Sequence, residues 1–218
     1  MKSIAIVGAG VGGCTTYLFL KKHLSPHIPD LSIHIYESYP PPPYFSNSPP
    51  KIVSSATSAN EVNVEDRPNL KADADTNVTT ATGGALGLSP NGIRVFESLD
   101  HDIYARIKAA SVEVEVFGAQ VSSGRMLGNF NAGGKRYGHG TLMIMRAALH
   151  DAVLEKVDDK DISFEKNVKR VVDKETAVTI EFEDGVIVEA DFVIGADGVW
   201  GRTRGAIPES AGLKPEYE

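Results

Sequence analysis

Ile4-Ala5-Ile6-Val7-Gly8-Ala9-Gly10-Val11-Gly12-Gly13 is the stretch on which the fold turns. Ile4 to Val7 is wholly apolar, as expected of a strand buried on both faces. A glycine-rich turn follows. Thr15 to Leu24 reads as a helix with Tyr17, Leu18, Leu20 and Leu24 free to pack on a sheet, and Pro26 and Pro29 close it. Leu31 to Tyr36 alternates apolar and polar residues, a second strand. Strand, helix and strand make a βαβ unit, whose crossover is expected to be right-handed. Within it, Gly8, Gly10 and Gly13 fit the pattern G-x-G-x-x-G, with Gly12 in the same turn. Gly8 permits the sharp exit from the strand, Gly10 lets a diphosphate approach the backbone, and Gly13 lets the helix sit close to the sheet. The helix start then aims its free N–H groups and positive dipole end at that anion. Glu37 ends the second strand, where a carboxylate can accept from adenosine ribose hydroxyls and repels a 2′-phosphate. The turn points to an adenine dinucleotide but does not choose between NAD and FAD.

Outward from this unit the pattern changes. From Ser38 to Thr82 the chain carries the proline run Pro40 to Pro43, then Pro49-Pro50, then mostly Ser, Thr, Asn, Asp and Ala. Few large apolar side chains are available to offset ordering entropy, so residues 38–82 are expected to be a disordered insertion. Ser89-Pro90 predicts a helix start, with Ser as N-cap and Pro in the first turn, and Ile93, Phe96 and Leu99 continue the apolar stripe. A short helix is expected over Asp102 to Ala109. Val112 to Val121 alternates as a strand, with Met126 to Phe130 as its partner, giving a partial second β layer over residues 112–140. Arg146 to Val157 carries Leu149, Val153 and Val157 at helical spacing. Ile162 to Phe164 is a short strand. Val168 to Val172, Val178 to Phe182 and Val186 to Val188 form a meander with Asp184-Gly185 as a tight turn. Phe192 to Ile194 is a further buried strand that ends in Gly195-Ala196-Asp197-Gly198. The fold class is α/β: a Rossmann-like parallel sheet, a β-meander and a partial second layer.

Composition narrows the partners. A formal net charge of −7 argues against nucleic acid, which needs clustered Lys and Arg. One cysteine, Cys14, makes no internal disulfide and no Cys-rich metal site, so a reducing, cytoplasmic setting is expected. His23 and His27 stand at a helical metal-ligand spacing, but Pro26 lies between them and no acidic third ligand is near; no metal is expected. The apolar start from Ile4 to Leu20 superficially resembles a signal peptide. Its four glycines and the motif they build argue against that reading, and no segment is long and apolar enough to span a bilayer.

The longest motif lies near the other end. Asp191-Phe192-Val193-Ile194-Gly195-Ala196-Asp197-Gly198-Val199-Trp200-Gly201-Arg202-Thr203-Arg204 resembles the Asp-Gly signature of FAD-dependent aromatic hydroxylases, the family of p-hydroxybenzoate and salicylate hydroxylases. Physically, it places small residues and one carboxylate at the carboxyl end of a strand, where open α/β sheets bind ligands. Gly83 to Gly92 is similar to that family's glycine-rich approach to a Pro-Asn helix start. Met145-Arg146-Ala147-Ala148-Leu149 is similar to its Arg-x-x-Leu helix start. The four motifs occur in the family's order. The resemblance leaves out residues 38–82, and no Gly-Asp motif of the family's later half follows Arg204.

The resemblance implies FAD as cofactor and NAD(P)H as co-substrate, with Asp197, Gly198 and Arg146 joining Gly8, Gly10, Gly12, Gly13 and Glu37 around FAD. It implies an O₂-dependent monooxygenase acting on an aromatic or similar small molecule. Two other readings stay open: a FAD-binding fragment without activity of its own, and a NAD-dependent dehydrogenase or reductase. Ser54, Ser89, His139 and His150 have no sequence context that marks a catalytic triad.

Overall fold

The computed structural model describes residues 2–42, 84–131, 134–174 and 176–206. In chain order these form β1 (Ser3–Val7), α1 (Val11–His23), β2 (Ser32–Tyr36), β3 (Ala85–Leu88), α2 (Pro90–Leu99), α3 (His101–Ala109), β4 (Ser111–Val114), β5 (Val116–Gln120), β6 (Met126–Asn131) and α4 (Gly134–Tyr137). They continue as β7 (Thr141–Met145), α5 (Arg146–Leu154), β8 (Ile162–Ser163), β9 (Val168–Asp173), β10 (Val178–Phe182), β11 (Ile187–Ala190) and β12 (Phe192–Gly195).

A parallel sheet of order β12-β1-β2-β8 forms the centre. Ile4, Ala5, Ile6 and Val7 are all at most 4 % exposed, which explains the unbroken apolar run. Strand alternation divides them. Ile4 and Ile6 join Ile33, Ile35, Tyr17, Ile93, Phe96, Leu149 and Val153 in the larger core, on the helix side. Ala5 and Val7 join Ile180, Phe182 and Ala190 in a second core, under the antiparallel meander β9-β10-β11. β1 is therefore the middle layer of three.

A second antiparallel sheet, order β3-β7-β4, packs Leu142 and Ile144 into the larger core. The expected continuous strand Val112 to Val121 is broken at Glu115: β4 pairs with β7, whereas β5 pairs only with β6. The helix expected to reach Val157 ends at Leu154, although Val157 remains buried. α1 begins at Val11, inside the glycine motif, rather than at Thr15. Of the insertion expected over residues 38–82, the part from 43 to 82 lies outside the described residues. Among the described residues no helix is long and apolar enough to cross a membrane.

Candidate cofactor site

The carboxyl ends of β1, β2 and β12 converge because their ladders run on past the strands. Gly8 N–H donates to Tyr36 O at 2.8 Å, and Ala196 N–H donates to Val7 O at 2.7 Å. A hollow of about 470 Å³ opens at this edge. Its walls include Gly8, Ala9, Gly10, Glu37, Arg146, His150, Asp197 and Gly198. The volume falls in the range of small-molecule sites, and the position is where open α/β sheets bind ligands.

The glycines divide by what they do. Gly8 has φ +101°, and a Cβ built there would stand 2.5 Å from the Ala196 carbonyl oxygen. A Cβ on Gly13 would stand 1.9 Å from the Gly8 carbonyl oxygen. Both are required by the protein's own packing. Gly10 is different: its φ is −65°, and a Cβ there would meet no protein atom within 4 Å. The apoprotein has no need for glycine at position 10, yet this residue faces the hollow. Gly12 is exposed and is not part of the hollow's wall.

Gly10 is also the N-cap of α1, with no side-chain cap and no acidic residue in the first turn. The first amides of the helix are left to an external acceptor. α5 likewise begins at the hollow with Arg146 and Ala147 and without a side-chain cap. The exposed Arg146 side chain has no hydrogen-bond or ion-pair partner among the described residues. Two helix starts and one cation thus face a single cavity, an arrangement suited to a phosphate-bearing ligand.

Glu37 sits beside the turn, as the βαβ geometry predicts. Its Oε2 accepts from Ala9 N–H at 2.5 Å, and its Oε1 accepts from Tyr39 N–H at 3.0 Å and Ser38 Oγ–H at 3.1 Å. A carboxylate has about four lone-pair positions, so acceptor capacity remains. Asp197 lines the hollow, but its carboxylate is engaged elsewhere: Oδ1 accepts from Thr203 Oγ–H at 2.6 Å and Oδ2 from Thr203 N–H at 3.0 Å. Its observed role is to tie the loop after β12 to the short turn Thr203–Ala206. Gly198, at φ +82°, supplies the backbone reversal inside that loop.

His150 is the residue that the sequence did not mark. It lines the hollow, and its Nε2 lies 2.6 Å from Ala9 O. The available signal was its spacing: His150 stands one helical turn after Arg146, on the same face of α5. Cys14 Sγ–H donates to the same carbonyl at 3.1 Å. Burial, and then the nearby Glu37 charge, push the Cys14 thiol up to about 12, so it stays protonated and able to donate. Trp200, 86 % exposed, stands at the rim. Among the described residues no group of His, Cys, Asp or Glu could hold a metal ion.

No family model matches the chain. Similar proteins are nevertheless known. A 3-amino-4-hydroxybenzoate 2-monooxygenase of Streptomyces cremeus is 29% identical over 143 residues, 63% of this chain and 34% of the relative. The FAD-dependent monooxygenase pigN of Monascus ruber is 31% identical over 134 residues, 56% of this chain and 30% of the relative. The structure of Klebsiella pneumoniae HpxO complexed with FAD and uric acid matches 90% of this chain and 39% of its own length, with a TM-score of 0.58 and 19% identity. The chain spans about a third of the curated relatives' length and about two fifths of the solved structure. The motif resemblance is matched at both levels: in sequence this chain is similar to part of two monooxygenases, one of them named as FAD-dependent, and in fold to part of a protein solved with FAD.

Proposed function

We propose that the chain binds FAD in the hollow at the carboxyl edge of the parallel sheet, as the cofactor-binding part of a monooxygenase. The observation that carries this reading is Gly10. It is the one glycine of the motif that faces the cavity and that the protein's own packing does not require. The absence of a Cβ there leaves room for a diphosphate against the amides that open α1. Glu37 is positioned to accept from ribose hydroxyls, and Arg146 to pair with phosphate. Gly8 and Gly13 shape the turn, Gly12 lies in the helix start behind it, and Gly198 with Asp197 shapes the opposite wall.

In the whole protein the proposed reaction is NAD(P)H- and O₂-dependent hydroxylation of a small aromatic or similar organic molecule, in the cytoplasm. The names of the sequence relatives support the reaction class. When bound, FAD supplies the redox chemistry; this chain's residues bind it and orient it.

The test is a titration of purified apoprotein with FAD, read by quenching of flavin fluorescence, with NAD as the competing ligand. Quenching that excess NAD does not reverse is expected. Gly10→Val is expected to weaken FAD on the order of a hundredfold, the equivalent of about 2.7 kcal/mol, with the thermal midpoint of the apoprotein little changed. Unchanged flavin affinity in that variant would remove the site assignment.

A further inference from the structure

We infer that His150 is a positioning residue for the glycine turn, presetting it for the diphosphate of the dinucleotide; this rests on the FAD reading above. Ala9 is the only non-glycine residue between Gly8 and Gly10, and both of its backbone polar groups are tied to other elements. Its N–H donates to Glu37 Oε2 at the end of β2, at 2.5 Å. Its carbonyl lies 2.6 Å from His150 Nε2 on α5 and accepts from Cys14 Sγ–H on α1 at 3.1 Å. A carbonyl only accepts, so His150 Nε2 carries the proton and the ring donates.

The consequence follows from peptide geometry. In a trans peptide the C=O and the next N–H point in opposite directions within one plane. The Ala9 carbonyl and the Gly10 N–H share such a plane. Anchoring that carbonyl on α5 and α1 therefore fixes the direction of the Gly10 N–H. In the same way, the Glu37 contact fixes the plane between Gly8 and Ala9. Without these anchors, a turn rich in glycine would sample several plane orientations, and the ligand would have to bear the cost of selecting one. His150 also lies at the cavity wall, one turn from Arg146, so one face of α5 supplies both a cation and the turn's anchor. Its role needs no change of charge, because the neutral Nε2–H tautomer and the imidazolium both donate.

The experiment measures FAD dissociation constants by flavin fluorescence for the wild-type chain and for His150→Leu, His150→Asn and His150→Gln. Gln places an amide N–H near the Nε2 position, whereas Asn falls short and Leu cannot donate. Leu and Asn are expected to weaken FAD roughly tenfold, the scale of one hydrogen bond, and Gln to return within about threefold of wild type. If His150→Leu does not fold, His150→Asn serves as the non-donating variant. A purely structural role for the imidazole predicts that all three variants lose affinity alike, and that result overturns the inference. So does wild-type affinity in His150→Asn. Failure of the wild-type chain to quench FAD at all overturns the underlying site reading instead.

Discussion

Cys14 shows how one side chain can report on the packing behind the turn. It is fully buried, donates to Ala9 O and lies close enough to Glu37 to feel its charge. Its thiol, ordinarily near 9, is pushed up to about 12 by burial first and the carboxylate second. The neutral thiol is therefore favoured by the fold. Because the folded value is raised, this contribution is fully present below about pH 9 and is lost as pH climbs toward 12. At pH 10.5 the unfolded chain ionises this thiol and the folded chain does not. The loss relative to pH 8 is expected to be about 2 kcal/mol. Urea unfolding of the apoprotein at the two pH values should show this drop in the wild type and a smaller drop in Cys14→Ala. Tyr17, raised by burial and then by Asp161, adds its own alkaline loss, but equally in both proteins. Equal pH dependence of the two would show that the thiol is hydrated in the native state.

At the scale of elements, the loop after β12 separates what a motif conveys from what a side chain does. Residues that carry its resemblance to a cofactor-contact signature line the hollow, but both Asp197 oxygens face Thr203. Asp197→Ala should free residues 198–206, raising amide exchange at Thr203 roughly tenfold by mass spectrometry. Asp197→Asn, which retains an acceptor for Thr203 N–H and offers a donor to its hydroxyl, should show a smaller rise. Exchange unchanged in Asp197→Ala would mean the clasp contributes nothing. The βαβ unit, the α2 start at Ser89-Pro90 and the meander were legible because local pattern and tertiary role agree there. β3 and β7 were not. Gly84 and Gly87 make residues 84–88 read as a loop, and only pairing of Leu86 with Ile144 and Leu88 with Leu142 makes β3 a strand. β7 runs without a break into α5, so two periodicities meet at Arg146 and obscure each other. His150 was missed for a related reason: its partner is a backbone carbonyl, which leaves no trace in residue types.

The whole molecule combines two very different kinds of sheet. The parallel sheet lies between two cores, with every residue of Ile4 to Val7 buried. The β5–β6 hairpin pairs only with itself. Its cross-strand pair Phe117 and Phe130 is 43 % and 58 % exposed, and Val116, Met126 and Leu127 are each more than half exposed. An isolated two-stranded hairpin is marginal in water, because its few hydrogen bonds barely offset the entropy of ordering. Opening it uncovers little that is not already wet, whereas opening β1 exposes both cores. Hydrogen exchange of the apoprotein should therefore be slowest at Ile6 and fastest, among strand amides, in β5 and β6. A ratio of protection of at least about a hundredfold is expected, since local opening costs far less than global unfolding. Saturating FAD should raise protection at β1 and the Gly8–Val11 turn, which border the hollow, and leave the hairpin unchanged, since none of its residues lines it. Equal protection of β5 and β1 in the apoprotein would show the hairpin covered in solution. Added protection confined to the hairpin would move the ligand away from the glycine turn.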